Sequence, residues 1–245
     1  MANGRADGAR MLQYELPTSG DHPPLASPAY LSTRLRAPLH TPVALPQRLT
    51  EITGPLLGED RVAASDADLT RQHDGAPLGQ RAIVAGRVLD GTGRAVPHTL
   101  VEIWQANAAG RYRHDSDRWD APLDPNFTGL GRTMTDADGR YRFVTVVPGA
   151  YPWRNHHNAW RPAHIHLSLF GRSFTQRLVT QMYFPGDPLL DLDPIFRSVP
   201  PGARSRLVSR FSIEATVPQW ALAYEFDVVL RGARQTPFDD EGHEH

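Results

Sequence analysis

Sixteen residues, "YPWRNHHNAWRPAHIH" from Tyr151 to His166, hold one tyrosine, two tryptophans, two arginines and four of the chain's eleven histidines. His164 and His166 are two apart. On an extended strand that spacing puts both imidazoles on one face, about 6.5–7 Å apart along the chain. There they can converge on one ion, while Ile165 faces the other way into apolar packing. The bland alternative is two half-buried histidines satisfied by backbone groups. Spacing by itself carries little: "HEH" at His243 and His245 has it too, yet lies among acids with no strand pattern and reads as a solvated tail. His156 and His157 are adjacent, so a strand would turn them to opposite sides. Both read as loop residues.

The other donors narrow the ion. No glutamate follows the His-X-His pair at the distance a cupin site needs. No His-X-Asp or His-X-Glu supplies the two-His-one-carboxylate set of Fe(II) oxygenases. The chain has no cysteine, which removes disulfides, thiolate nucleophiles and cysteine metal sites. All 26 basic residues are arginine, which removes Schiff-base lysine chemistry and a P-loop. What stands nearby is tyrosine: Tyr151 in "PGAYPWRN" and Tyr112 in "AGRYRH". A phenol ligates only where an ion draws its pKa down from about 10, a task for a hard trivalent cation. Two imidazoles with two phenolates point to ferric iron. Each tyrosine taken singly reads first as a core aromatic of the sandwich.

These residues must be positioned by strands. "RAIVAGRVLD", "LVEIWQA", "TDADGRYRFVTVV", "AHIHLSLFG", "RLVTQMYF" and "LAYEFDVVLRG" are short, rich in β-branched residues and separated by Gly/Pro turns. Asp138-Gly139 marks one corner. Strands at this spacing predict an all-β sandwich, with one helix in "PGARSRLVSRF". Eight prolines between Pro17 and Pro55 predict an irregular arm with no long helix. The expected division is an arm over 1–78 packing on the core and on a partner chain, a catalytic sandwich over 79–238, and a disordered tail over 239–245. A net charge of −1 offers no basic face for nucleic acid or an anionic membrane. No apolar run approaches the roughly 20 residues of a membrane span, and the N-terminus has no apolar leader. The expected location is the cytoplasm.

"LVEIWQANAAGRYRH", "APLDPNF", "GRTMTDADGRYRFVTVVPGAYPWRN" and "WRPAHIH" together resemble the intradiol ring-cleaving dioxygenases, and most closely the β chain of the family's two-chain, protocatechuate-cleaving members. The resemblance covers roughly residues 80–235. It implies a transthyretin-like β-sandwich and one non-haem Fe(III) per chain, held by Tyr112, Tyr151, His164 and His166. It also implies O2-dependent cleavage of protocatechuate between its two hydroxyl-bearing carbons to 3-carboxy-cis,cis-muconate, in the β-ketoadipate route of aromatic catabolism. Arg161 matches the arginine beside the substrate ring, and Tyr151 the ligand that leaves iron and takes a proton. Trp153, Gln181 and Ile195 match pocket positions, and Tyr30 in "SPAY" an arm tyrosine that reaches the substrate carboxylate. The implied partner is a homologous α chain. Two rival readings remain: another intradiol enzyme acting on catechol or hydroxyquinol, and a non-enzymatic transthyretin-like binding module.

Overall fold

The β-branched run "RAIVAGRVL" forms β1 (Arg81–Leu89), the strand on which the first sheet is built. The computed structural model describes residues 22–38, 40, 61–157, 159–171 and 177–237. On one edge β1 pairs antiparallel with β4 (Arg140–Val146). On the other it pairs in parallel, first with β10 (Ala221–Glu225) and then with β11 (Val228–Val229). β9 (Arg210–Val217) lies outside β10. The second sheet is antiparallel throughout, in the order β3 (Leu130–Met134), β2 (Leu100–Trp104), β7 (His164–Phe170), β8 (Arg177–Tyr183). A separate hairpin joins β5 (Tyr151–Trp153) to β6 (Ala159–Arg161).

The two sheets close over one apolar core. Val84, Val88 and Phe143 meet Val101, Ile103, Ile165, Leu167 and Leu169, all at or below 1 % exposure. In β7 the alternation works as expected: Ile165, Leu167 and Leu169 face the core, while His164, His166 and Ser168 take the opposite face. That opposite face is buried as well. Leu69 belongs to the core, and its N–H donates to the Val144 carbonyl at 2.9 Å. The segment leading into the sandwich therefore continues the first sheet at the outer edge of β4.

All six expected strand regions contain strands, and the Asp138-Gly139 corner is a turn closed by Gly139 N–H on the Asp136 carbonyl at 3.0 Å. The expected helix is confined to the first seven residues of its stretch, as α3 (Pro201–Arg204) and one 3-10 turn (Ser205–Leu207), before β9 begins at Arg210. β9 escaped notice because its alternation is inverted: Ser212 points inward, while Phe211 and Ile213 are exposed. In the arm, α1 (Thr33–Arg36) has only four residues. The 239–245 tail, with His243 and His245, lies outside the described residues. Among those described, no helix is long and apolar enough to cross a membrane.

Candidate metal and substrate site

Strand register assembles the site on the outer face of the second sheet. His166 stands opposite Trp104 of β2 and Gln181 of β8, and His164 opposite Tyr183. Cross-strand partners on one face lie about 4.5–5.5 Å apart, so these five side chains form one patch. The Trp104 ring stacks flat on His166, with centroids 4.7 Å apart and planes 6° from parallel, which fixes that imidazole's plane. The two imidazole centroids are 4.9 Å apart.

His164 is set further by its own backbone. Its Nδ1 lies 2.7 Å from the Pro162 carbonyl oxygen, which can only accept, so Nδ1 carries the proton. Nε2 then offers its lone pair to the site. Burial drives the His164 pKa well below the usual histidine value, and the Arg161 charge and His166 push the same way. The ring is therefore neutral, as a metal ligand must be.

The tyrosines arrive on two loops pressed together. Asn107 Oδ1 accepts from the N–H groups of Ala109 and Arg111 at 2.9 and 3.0 Å, and the Asn107 carbonyl accepts from Gly149 at 2.9 Å. Gly110 sits at φ +79°, and a Cβ there would stand 2.2 Å from the Ala150 carbonyl oxygen. Only glycine permits both that backbone and that approach. The contact places Tyr112, two residues on, beside Tyr151, with ring centroids 5.4 Å apart and edge to face. Tyr112 also lies 6.4 Å from the His166 ring. The Tyr151 hydroxyl reaches His164 Nε2 at 3.2 Å.

This donor set fits an ion. Two atoms each bound about 2.0–2.1 Å from one ion, at angles of about 90–110°, stand about 2.9–3.4 Å apart, the range in which Tyr151 Oη and His164 Nε2 lie. Among the described residues, no group of three or more His, Cys, Asp or Glu gathers, so the available set is phenolic and imidazole. Such a set suits a hard, highly charged cation.

Arg161 forms the second half of the site. It is wholly buried and faces Tyr151 across the hairpin. Its Nε is 2.9 Å from Asp193 Oδ1, and its Nη2 donates to Tyr183 Oη at 3.0 Å and to Gln181 Oε1. Trp153 covers it at 5.7 Å. Tyr30 meets Trp153 edge to face at 4.9 Å and donates to the Pro194 carbonyl at 3.0 Å. Ile195 is buried in α2 (Pro194–Ser198). Asn155 ties down the arm, accepting from Leu31 N–H with its carbonyl and from Ser32 N–H with its side chain, both at 2.9 Å.

The structure thus gathers Tyr112, Tyr151, His164, His166, Arg161, Trp153, Gln181, Ile195 and Tyr30 around one region. His156 stays in the turn after β5, stacked against Trp153 at 6.3 Å, and His157 is exposed. Sequence reasoning missed Trp104, Tyr183 and Asp193. Tyr183 follows Gln181 by two in a strand, the same signal that paired the histidines. Asp193-Pro194 is a helix-start pattern that went unread.

A family model described as Dioxygenase matches residues 52–232. The protocatechuate 3,4-dioxygenase beta chain of Burkholderia cepacia is 57% identical over 220 residues, covering 89% of this chain and 94% of that one. The alpha chain from the same organism is 30% identical over 66% of this chain and 78% of that one. Among solved structures, 3-chlorocatechol 1,2-dioxygenase from Rhodococcus opacus superposes with TM-score 0.53 at 25% identity, over 69% of this chain and 65% of that one. With sandwich, donor set and sequence in agreement, the chain belongs to the intradiol ring-cleaving dioxygenase family.

Proposed function

We propose that this chain cleaves protocatechuate with O2, between the two hydroxyl-bearing carbons, to 3-carboxy-cis,cis-muconate. The reading places one ferric ion on Tyr112, Tyr151, His164 and His166, in a family that uses iron. The observation that carries it is the convergence of two phenols and two neutral-capable imidazoles in a chain 57% identical to a protocatechuate-cleaving relative.

When bound, ferric iron supplies Lewis acidity that keeps the phenols ionised and makes a bound catecholate reactive toward O2. The chain's own residues do the rest. A catechol that chelates must shed two protons. In this reading Tyr151, on a short hairpin strand beside His164, takes one, and solvent hydroxide takes the other. Tyr112 and the histidines remain as the fixed support. Arg161 holds a permanent charge beside the ring, where negative charge develops during cleavage. Trp153, Gln181 and Ile195 wall the pocket and exclude water, and Tyr30 stands at its arm side to meet the substrate carboxylate.

The same reading divides the chain into an arm over 1–78 that packs on the core and on a partner, the catalytic sandwich over 79–238, and a tail over 239–245. Docking of Tyr30, Leu31 and Ser32 on the sandwich supports the first part. It also makes the protein a cytoplasmic αβ hetero-oligomer, supported by the likeness to both a beta and an alpha chain.

The test is oxygen uptake and product absorbance with protocatechuate, catechol and hydroxyquinol, for this chain with and without the α chain. Turnover of protocatechuate to the carboxymuconate, raised by the α chain, is expected. Faster turnover of catechol or hydroxyquinol would reassign the substrate, and an iron-free, colourless protein would end the reading.

A further inference from the structure

The charge on Arg161 has no exposed surface, so something inside the protein must both balance it and aim it. We infer that Asp193 is the positioning residue for Arg161 and that Tyr183 completes the clamp. The inference rests on the reading of Arg161 as the charge beside the substrate ring.

Asp193 is itself fully buried and meets Arg161 Nε at 2.9 Å through Oδ1. Its Oδ2 accepts from the Tyr183 hydroxyl at 3.0 Å. That hydroxyl has one proton and two acceptors in reach, Asp193 and Gln181 Oε1 at 2.8 Å. The carboxylate is the stronger acceptor, which leaves Gln181 Oε1 to Arg161 Nη2. Tyr183 Oη accepts from the same Nη2 at 3.0 Å. The guanidinium is planar and rigid. The close approach of Asp193 Oδ1 to Nε balances the charge, the Nη2 bonds to Gln181 and Tyr183 fix its rotation, and Trp153 fixes its tilt from one face.

The same carboxylate does a second job. It is the N-cap of α2, accepting from Ile195 N–H at 3.3 Å and Phe196 N–H at 3.4 Å. One side chain thus registers the cation against the pocket wall that carries Ile195. Tyr183 in turn sits opposite His164 in β8, so the clamp is built on the strand pair that presents an imidazole of the donor set.

A purely structural account would make Asp193 a helix cap and nothing more. Asparagine caps a helix as well as aspartate, so Asp193→Asn weights the two roles differently: it keeps one of the two cap acceptors and removes the counter-charge altogether. Three variants decide the matter, each made in the full chain, paired with the α chain and loaded with iron: Asp193→Asn, Arg161→Gln and the double variant. Measured are kcat and KM for protocatechuate, bound iron, and the thermal midpoint of the metal-free protein. Asp193→Asn is expected to keep its iron and lose kcat about 10–100-fold, with KM changed far less, as for a displaced catalytic group. The double variant is expected to match Arg161→Gln within about twofold, since the two residues act as one unit. It is also expected to melt above Asp193→Asn, because no buried charge is left unpaired.

Parental kcat in Asp193→Asn would overturn the inference and leave a cap. Losses that multiply in the double variant would overturn it too. Parental turnover in Arg161→Gln would instead overturn the reading of Arg161, and the inference with it. If Asp193→Asn alone fails to fold, a folded double variant with the Arg161→Gln rate supports the inference. A double variant that stays unfolded while Arg161→Gln folds overturns it.

Discussion

Tyr151 and Arg161 are direct cross-strand partners in the β5–β6 hairpin. An ionisable phenol and a permanent cation therefore share one small element, whose strands are three residues each. A displacement of one is felt by the other, and Arg161 is clamped from behind. In β6 Ala159 and Arg161 are buried, whereas β5 is half-buried at all three residues, so the swing proposed for Tyr151 falls on the less enclosed strand.

Tyr151→Phe is expected to retain iron while slowing catecholate chelation. Loss of a positioned base costs about 10²–10⁴-fold in rate. Stopped-flow absorbance on mixing with anaerobic substrate reads it, and transients as fast as the parent's would remove Tyr151 from that role.

Tyr112→Phe is expected to shift or weaken the visible phenolate-to-iron band with iron still bound, because one of two phenols remains. An unchanged spectrum on a fully loaded protein would place Tyr112 outside the donor set.

His164→Ala or His166→Ala should each weaken iron binding by more than the roughly 10–100-fold typical of losing an outer hydrogen-bond partner. Deleting residues 241–245, with His243 and His245, should leave iron content at the parental level. Metal analysis of the purified proteins distinguishes the two histidine pairs.

Gly110→Ala tests the pressed loops. The new Cβ meets the Ala150 carbonyl oxygen at 2.2 Å in a left-handed backbone. A left-handed conformation costs a side chain about 1–2 kcal/mol before any clash. Urea unfolding should show at least that loss, and iron binding should fall with it, although Gly110 carries no donor. Unaltered iron affinity would mean that the tyrosines are held some other way.

Tyr141 gives the alkaline limit. Its hydroxyl is buried and donates to the Phe226 carbonyl at 2.5 Å. Burial raises its pKa far above 10, and Asp227 adds to the rise. The unfolded chain releases this proton near pH 10 and the folded chain holds it. The stabilisation is therefore complete below pH 10 and is lost as pH climbs above it. Tyr141→Phe should flatten that part of the pH–stability curve and cost about 1–3 kcal/mol at neutral pH, from the carbonyl left unsatisfied. Thermal melts from pH 8 to 11 show both.

Legibility from sequence followed the physics of each element. "AHIHLSLFG" announced its two faces because a strand alternates, and Ile165 went to the core as read. Strands such as β5 and β6 have three residues, too few for any period to register. Trp104 could be placed beside His166 only once the β2–β7 register was known, because pairing between distant strands leaves no mark in either. Asp193 was legible as a helix start but not as a counter-charge, because that role depends on an arginine 32 positions away in the chain. The donors themselves were legible as residue types in matched blocks, and their convergence was not.

The parallel pairing of β1 with β10 sets an order on the birth of the molecule. Ala82 waits for Leu222, an interval of about 7–28 s at ribosomal rates of about 5–20 residues per second. Hairpins form in about 1–10 μs, so the second sheet, from residue 100 to residue 183, has ample time to zip before β10 exists. Tyr112, Tyr151, His164 and His166 all belong to that early portion. The nascent chain thus carries its full set of donors while one edge of β1 still lacks a strand. That edge is where a homologous chain made nearby could lend its own copy of β10, so prompt pairing of β1 with β10 of the same chain guards against swapped assemblies.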